Sequence, residues 1–280
     1  MIQRRSFDKN YLQQEFDKLN AAMKHPLTLY LIGGGAMSFY GVKDATKDID
    51  VILTNQDDLN NLKVTLEALG YTEPNPLVIT GPYNEVQTSA ILENLESFRW
   101  DIFLNKVCGK LTLSNEMQNR ATAIYQGNHL KILMASKEDL FLFKGITSRE
   151  VDLDDTGVLA RSGLNWDIIG QECRSQSELS GICWEDGLYQ TLRGLKEKHG
   201  ITSPIEKPLR MAAQQKLMEK TLLGQIKKGN TTIDSIAKEM KMARGFVGRE
   251  LIRLVNKGLI TVDKSERPYR FSLNSNNLKK

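Results

Sequence analysis

The stretch Leu31-Ile32-Gly33-Gly34-Gly35-Ala36-Met37-Ser38-Phe39-Tyr40-Gly41-Val42-Lys43-Asp44-Ala45-Thr46-Lys47-Asp48-Ile49-Asp50-Val51-Ile52-Leu53 decides how the chain is read. An apolar run from Leu27 to Ile32 meets three glycines. A short helix-compatible segment follows, and a second apolar run carries Asp48 and Asp50. Side chains alternate along a strand, so carboxylates two residues apart face the same way. Like charges side by side repel unless a cation sits between them, usually a metal ion. Glycines let the backbone approach a ligand closely, and a helix starting there aims N–H groups at a phosphate. A glycine turn followed by Asp-x-Asp therefore reads as a site for a metal–triphosphate. Each half also has a plainer reading. Gly-Gly-Gly can be a tight strand–helix connection, and Asp-x-Asp at a strand end can sit in a turn or on a solvated edge.

Strand, glycines, short helix and then two acids on the next strand: this order resembles the nucleotidyltransferase superfamily that includes DNA polymerase beta. Its pattern is an apolar residue, Gly-Gly or Gly-Ser, roughly ten residues, Asp-apolar-Asp, and a third acid on a later strand. Here Gly33-Gly34 and Asp48-Ile49-Asp50 fill the first part, with thirteen residues between Gly34 and Asp48. Further on, Phe98-Arg99-Trp100-Asp101-Ile102-Phe103-Leu104 sets one acid inside an apolar, β-forming segment. A charge there is expensive unless it is paired or binds metal, so Arg99 or a more distant residue is one partner open to it. The resemblance makes Asp101 the third acid. It implies that Asp48, Asp50 and Asp101 hold Mg²⁺ or Mn²⁺ through oxygen ligands, and that Gly33, Gly34 and Gly35 face the phosphates of an NTP. Many members carry Ser after the first glycine or Thr in third place. Gly34 and Gly35 stand there in this chain, so backbone contacts would have to serve.

With 280 residues the chain can hold one large domain or two smaller ones. No apolar stretch approaches the roughly 20 residues that span a bilayer. The basic start, Met1 to Arg5, is followed by no apolar segment of a signal peptide. Cys108, Cys173 and Cys183 form no Cys-x-x-Cys, and His25, His129 and His199 are scattered, which argues for reduced thiols, a cytoplasmic protein and no zinc. Charge is unevenly placed. From Glu206 onward there are 17 Lys/Arg and 7 Asp/Glu, a net of +10; the whole chain is +4, leaving 4 − 10 = −6 for the front. An acidic front and a basic back suggest two modules, the second with an anionic partner or simply a solvated basic surface.

Apolar spacing predicts a helix near Asp8 to Lys24, a strand at Leu27–Ile32, and a helix after Asn55 closed by Gly70. A short strand is expected around Tyr71, then a turn-rich segment with Pro74, Pro76, Gly81 and Pro82. Ser114–Arg120 reads as a short helix and Ile124–Met134 as a strand pair around Gly127-Asn128. Ser136 starts a further helix in which Leu140, Phe143 and Ile146 share a face, and Val158–His199 is helical. A lone lysine on a helix is usually solvated. The order Asp139, Lys144, Arg149, Asp152, Asp155 nevertheless resembles the abortive-infection group of nucleotidyltransferases. That resemblance makes Lys144 a phosphate or substrate contact, with Arg149 and Asp152 as further contacts or an internal ion pair.

The segment Gly200 to Pro208 reads as a linker. Beyond it come helices at Leu217–Ile226, Thr232–Met240 and Ala243–Asn256, and then two strands around the polar turn Asp263 to Pro268. This order resembles a winged helix-turn-helix. Arg244, Arg249 and Arg253 on the third helix, with Lys264 and Arg267 in the wing, are where contacts to DNA or RNA would fall. Such domains also serve in dimerisation or protein docking, so a homodimer is compatible.

The expected fold is α/β (α+β): a mixed sheet flanked by helices in residues 1–200, with a helical extension, and a winged helix in 208–280. The expected function is metal-dependent transfer of NMP from an NTP to an acceptor hydroxyl, with RNA, and tRNA in particular, favoured by the toxin-like resemblance. The alternatives are a DNA-binding regulator with a nucleotide-sensing front, and an antibiotic-type enzyme with a small-molecule acceptor. No membrane partner is expected.

Overall fold

The computed structural model describes residues 4–74, 87–147 and 150–274. Arg149 and the segment containing Pro76, Gly81 and Pro82 lie outside them. Leu27, Leu29 and Leu31 turn inward along β1 (Leu27–Ile32), as the period of a strand requires. β2 (Asp48–Leu53) runs antiparallel to it, with Ile32 opposite Asp50. On the far side of β2, β4 (Arg99–Leu104) lies parallel, and β3 (Ala90–Glu93) closes that edge antiparallel. On the far side of β1 comes β8 (Leu130–Met134), parallel, and then β7 (Thr122–Gln126), antiparallel. The result is a six-stranded mixed sheet in the order β3-β4-β2-β1-β8-β7.

Helix starts follow the capping chemistry. Asp8 accepts from the Tyr11 amide at the head of α1 (Lys9–Ala22), and Asn55 from the Asp58 amide at the head of α3 (Gln56–Ala68). Ser114 does the same for α4 (Asn115–Arg120). The short α2 (Gly33–Phe39) packs on β1 and β2, and against α5 (Lys137–Thr147). Around α5 gather α6 (Glu150–Arg161), α7 (Trp166–Ser180) and α8 (Trp184–His199). Leu140, Phe141, Leu142 and Phe143 are all buried, so α5 is enclosed rather than amphipathic. Two buried acids in this layer share one arginine: Arg120 donates to Asp139 at 2.7 Å and to Glu172 at 2.6 Å, tying α4, α5 and α7 together.

Three local expectations need adjusting. The strand expected at Tyr71 is a single bridge between Thr72 and Glu93. A small hairpin, β5 (Lys106–Val107) and β6 (Leu111–Thr112), was not anticipated. It turns through Cys108 and Gly109, both at positive φ, where Asn-Gly is the usual signal. The helix expected at Leu217–Ile226 starts much earlier, as α9 (Glu206–Lys227). Pro208 sits in its first turn, where the missing N–H has no intrahelical partner to lose, so it does not break the helix.

The chain divides into two compact units, one ending at Leu209 and the other beginning at Arg210. In the second unit the end of α9 is followed by α10 (Ile233–Met240), α11 (Arg244–Asn256) and an antiparallel pair, β9 (Ile260–Asp263) and β10 (Arg270–Leu273). Thr232 and Ser235 form a reciprocal cap at the start of α10. Leu222, Ile226, Ile236, Val247, Leu251, Leu254, Ile260 and Phe271 make a core separate from that of the first unit. Among the described residues no helix is long and apolar enough to cross a membrane.

Candidate active site

Where β1 ends, the backbone of Gly33 turns left-handed, at φ +63°. A Cβ there would lie 1.9 Å from Oδ2 of Asp50, because β2 runs alongside and brings that carboxylate against the turn. Gly34 is constrained from another side: its Cβ would meet Thr46 Oγ1 at 2.6 Å, with Lys43 Nζ 3.6 Å away. Gly35 is a packing residue, facing Leu31 and Leu12. Two of the three glycines thus mark close approach at the site, and the third fits the core.

The strand register sets the acids. Asp50 and Asp101 are direct partners across the parallel β2–β4 pair, and Asp48 precedes Asp50 by one pleat on the same face. Asp101 is 4% exposed, and among the described residues its Oδ1 has no hydrogen-bond partner. Burial pushes its pKa well above the usual carboxylate range, and the charges of Asp48 and Asp50 push it further; Arg4 and Arg99 oppose them. Arg99 itself pairs with Glu93, its neighbour across β3–β4. Asp48 faces Arg4, whose Nη1 lies 3.5 Å from its Oδ2. Among the described residues no three His, Cys, Asp or Glu side chains already stand together as a metal-binding group, in keeping with Asp48 turning to Arg4. The donor set still suits a hard divalent cation: carboxylate oxygens only, crowded like charges, and one buried oxygen without a partner.

Lys144 reaches this end of the sheet from α5. Its side chain is 13% exposed, unlike the solvated lysine that helix spacing alone would suggest. It pairs with Asp155 at 2.7 Å and Asp152 at 3.2 Å. Burial pulls the Lys144 pKa down, but Asp155 and Asp152, with help from Asp50, outweigh it and hold the ammonium charged. Asp155 also binds Lys43, at 3.1 Å, so one carboxylate bridges two lysines beside the glycine turn. Neither Lys43 nor Arg4 stood out in the sequence. Lys43 sits in the loop before Asp48, where no periodicity applies, and Arg4 lies in a basic N-terminal run that carries no motif.

In the second unit Arg249, Lys264 and Arg267 are exposed. Arg244 is exposed too and forms a surface pair with Asp234 at 3.0 Å. Arg253 is turned inward: it binds Glu250 at 2.9 Å and lies 4.0 Å from Glu219.

A glycine turn, two strand-borne acids and a third on the parallel neighbour define a nucleotidyltransferase-like protein. Residues 10–196 match the family described as "Nucleotidyltransferase of unknown function (DUF6036)". The match spans about two thirds of the chain and contains Gly33, Gly34, Lys43, all three acids and Lys144. The chain belongs to this family. No match to it was found among curated proteins.

Proposed function

We propose that the protein transfers a nucleoside monophosphate from an NTP to an acceptor hydroxyl, with Asp48, Asp50 and Asp101 holding a divalent cation, Mg²⁺ or Mn²⁺. The observation that carries this reading is the buried Oδ1 of Asp101, without a hydrogen-bond partner among the described residues, on the strand beside Asp50 and the glycine turn. When bound, such a cation would neutralise developing phosphate charge and acidify the attacking hydroxyl. Gly33 and Gly34 let Asp50 and Thr46 pack against the turn, whose backbone would meet the phosphates. Lys43 and Lys144, fixed by Asp155, supply positive charge on that side. The acceptor oxygen bonds to the α-phosphorus, the bond to the β-phosphate breaks, and pyrophosphate leaves. Asp101, which would lie beside that hydroxyl, takes the proton it releases.

The two units act as a catalytic domain, roughly 1–200, and a winged helix-turn-helix, roughly 208–280, that binds nucleic acid. What supports the second assignment is the order of helices and hairpin, with exposed Arg244, Arg249, Lys264 and Arg267. RNA is the favoured acceptor, tRNA in particular, in a toxin-like, cytoplasmic role. Incubation with each labelled NTP, Mg²⁺ or Mn²⁺, and total RNA tests this. Label transferred to RNA is expected, and it disappears with Asp48→Asn. Transfer that needs no RNA would point to a small-molecule acceptor; no transfer to any acceptor would favour a nucleotide-sensing DNA-binding regulator.

A further inference from the structure

The N-terminal arm brings a charge to the acid site. Phe7 and Thr46 exchange backbone hydrogen bonds of 2.7 and 2.9 Å, fastening the arm to the loop that enters β2. The Phe7 ring is buried against Tyr11 and Phe98. From this anchor Arg4 Nη2 donates to the Lys47 carbonyl at 2.7 Å, Nε to the Ser97 carbonyl at 3.2 Å, and Nη1 reaches Asp48 Oδ2 at 3.5 Å. The Arg4 side chain is 16% exposed, and its charge is also felt at Asp101. Two carbonyls and a carboxylate fix the planar fork in place, which distinguishes it from a solvated arginine. On the other side of the site, Lys144 is engaged by Asp152 and Asp155.

We propose that Arg4 is the internal counter-ion of the acid site and that a divalent cation competes with it for Asp48. This rests on the reading that the three acids bind such a cation. Linkage then requires antagonism in both directions: the arm weakens cation binding, and the cation loosens the hold on Arg4.

The test titrates the full-length protein with Mn²⁺ alone, without nucleotide, at constant ionic strength, following bound Mn²⁺ by electron paramagnetic resonance. Arg4→Gln keeps the Phe7 anchor and removes the charge, and should bind Mn²⁺ about tenfold more tightly than the wild type. Arg4→Lys keeps the charge but not the fork, and its Mn²⁺ affinity should fall between those of the wild type and Arg4→Gln. Thermal melts give the reciprocal readout: Mn²⁺ should raise the Tm of Arg4→Gln more than that of the wild type. Equal Mn²⁺ affinity in the wild type and Arg4→Gln would overturn the role of Arg4 and leave the cation site standing. Absence of Mn²⁺ binding by either protein at millimolar concentration would overturn the cation site, and the role of Arg4 with it.

Discussion

Asp101→Asn should stabilise the fold while abolishing transfer. Asp101 is 4% exposed, one of its oxygens has no hydrogen-bond partner among the described residues, and it sits directly across from Asp50 on the neighbouring strand. Neighbouring strands lie about 4.8 Å apart. Two unit charges at about 5 Å repel by about 3 kcal/mol at an effective dielectric constant near 20, an upper bound here because burial favours the protonated form of Asp101. Asparagine keeps the shape and removes this repulsion, but it buries an amide that needs a partner, an offset of roughly 1 kcal/mol. The net gain is about 1–2 kcal/mol, or roughly 3–6 °C in Tm for a chain of this size. The assay is differential scanning calorimetry in chelator at neutral pH, repeated with Mg²⁺. The variant should melt above the wild type in chelator, and Mg²⁺ should close or reverse the gap by stabilising only the protein whose acids can bind it. A variant that melts below the wild type in chelator would show that Asp101 is a satisfied structural residue. Full transfer activity in the variant would remove it from the site.

Gly33→Ala forces a Cβ to within 1.9 Å of the Asp50 carboxylate at φ +63°, so a loss of about 1–3 kcal/mol in urea unfolding and a collapse of activity are expected; wild-type stability would contradict the observed turn. Lys144→Ala should lower kcat/KM by about 10- to 10³-fold, as expected for one charge-assisted contact, and unchanged kinetics would confine the residue to its ion pairs with Asp152 and Asp155. Burial raises the pKa of the Tyr71 hydroxyl, and its hydrogen bond to Glu15 raises it further. The folded state therefore holds that proton after the unfolded chain has lost it, so stability is intact below pH 10 and falls as the pH rises above it, by about 1.4 kcal/mol per pH unit. Tyr71→Phe should flatten that fall, and an unchanged slope in denaturant titrations at pH 10–11 would refute the assignment. Duplex DNA or structured RNA bound by the full chain should dissociate steeply with salt. Joint substitution of Lys264 and Arg267 should make that log–log slope shallower by about 0.9 per lost duplex contact; a slope that does not change would exclude the hairpin from the interface.

The framework around the glycines could be read in the sequence because β1 and β2 are apolar runs, and alternation alone puts Asp48 and Asp50 on one face. The register could not. Nothing local ties Asp50 to Asp101, and only the parallel pairing of β2 with β4 makes them neighbours. For the same reason the pairing of Arg99 with Glu93 was invisible before β3 took its place at the edge. Lys144 shows a different limit. On a surface helix it would be solvated, but α5 is enclosed, and its lysine is kept charged by aspartates that reach it only when α6 folds back.

Lys43 and Arg4 escape pattern reading altogether, because loops and arms have no period and a single basic residue in either is ordinary. Their meaning comes from the groups around them: Asp155 and the glycine turn for Lys43, and Asp48 with two carbonyls for Arg4. Three carboxylates on adjacent strands would destabilise the sheet on their own. The chain sets basic groups on both flanks of them, Arg4 beside Asp48 and the two lysines beyond Asp50. The same arrangement that makes the acids tolerable in the folded protein sets the charge a cation and a phosphate would meet there.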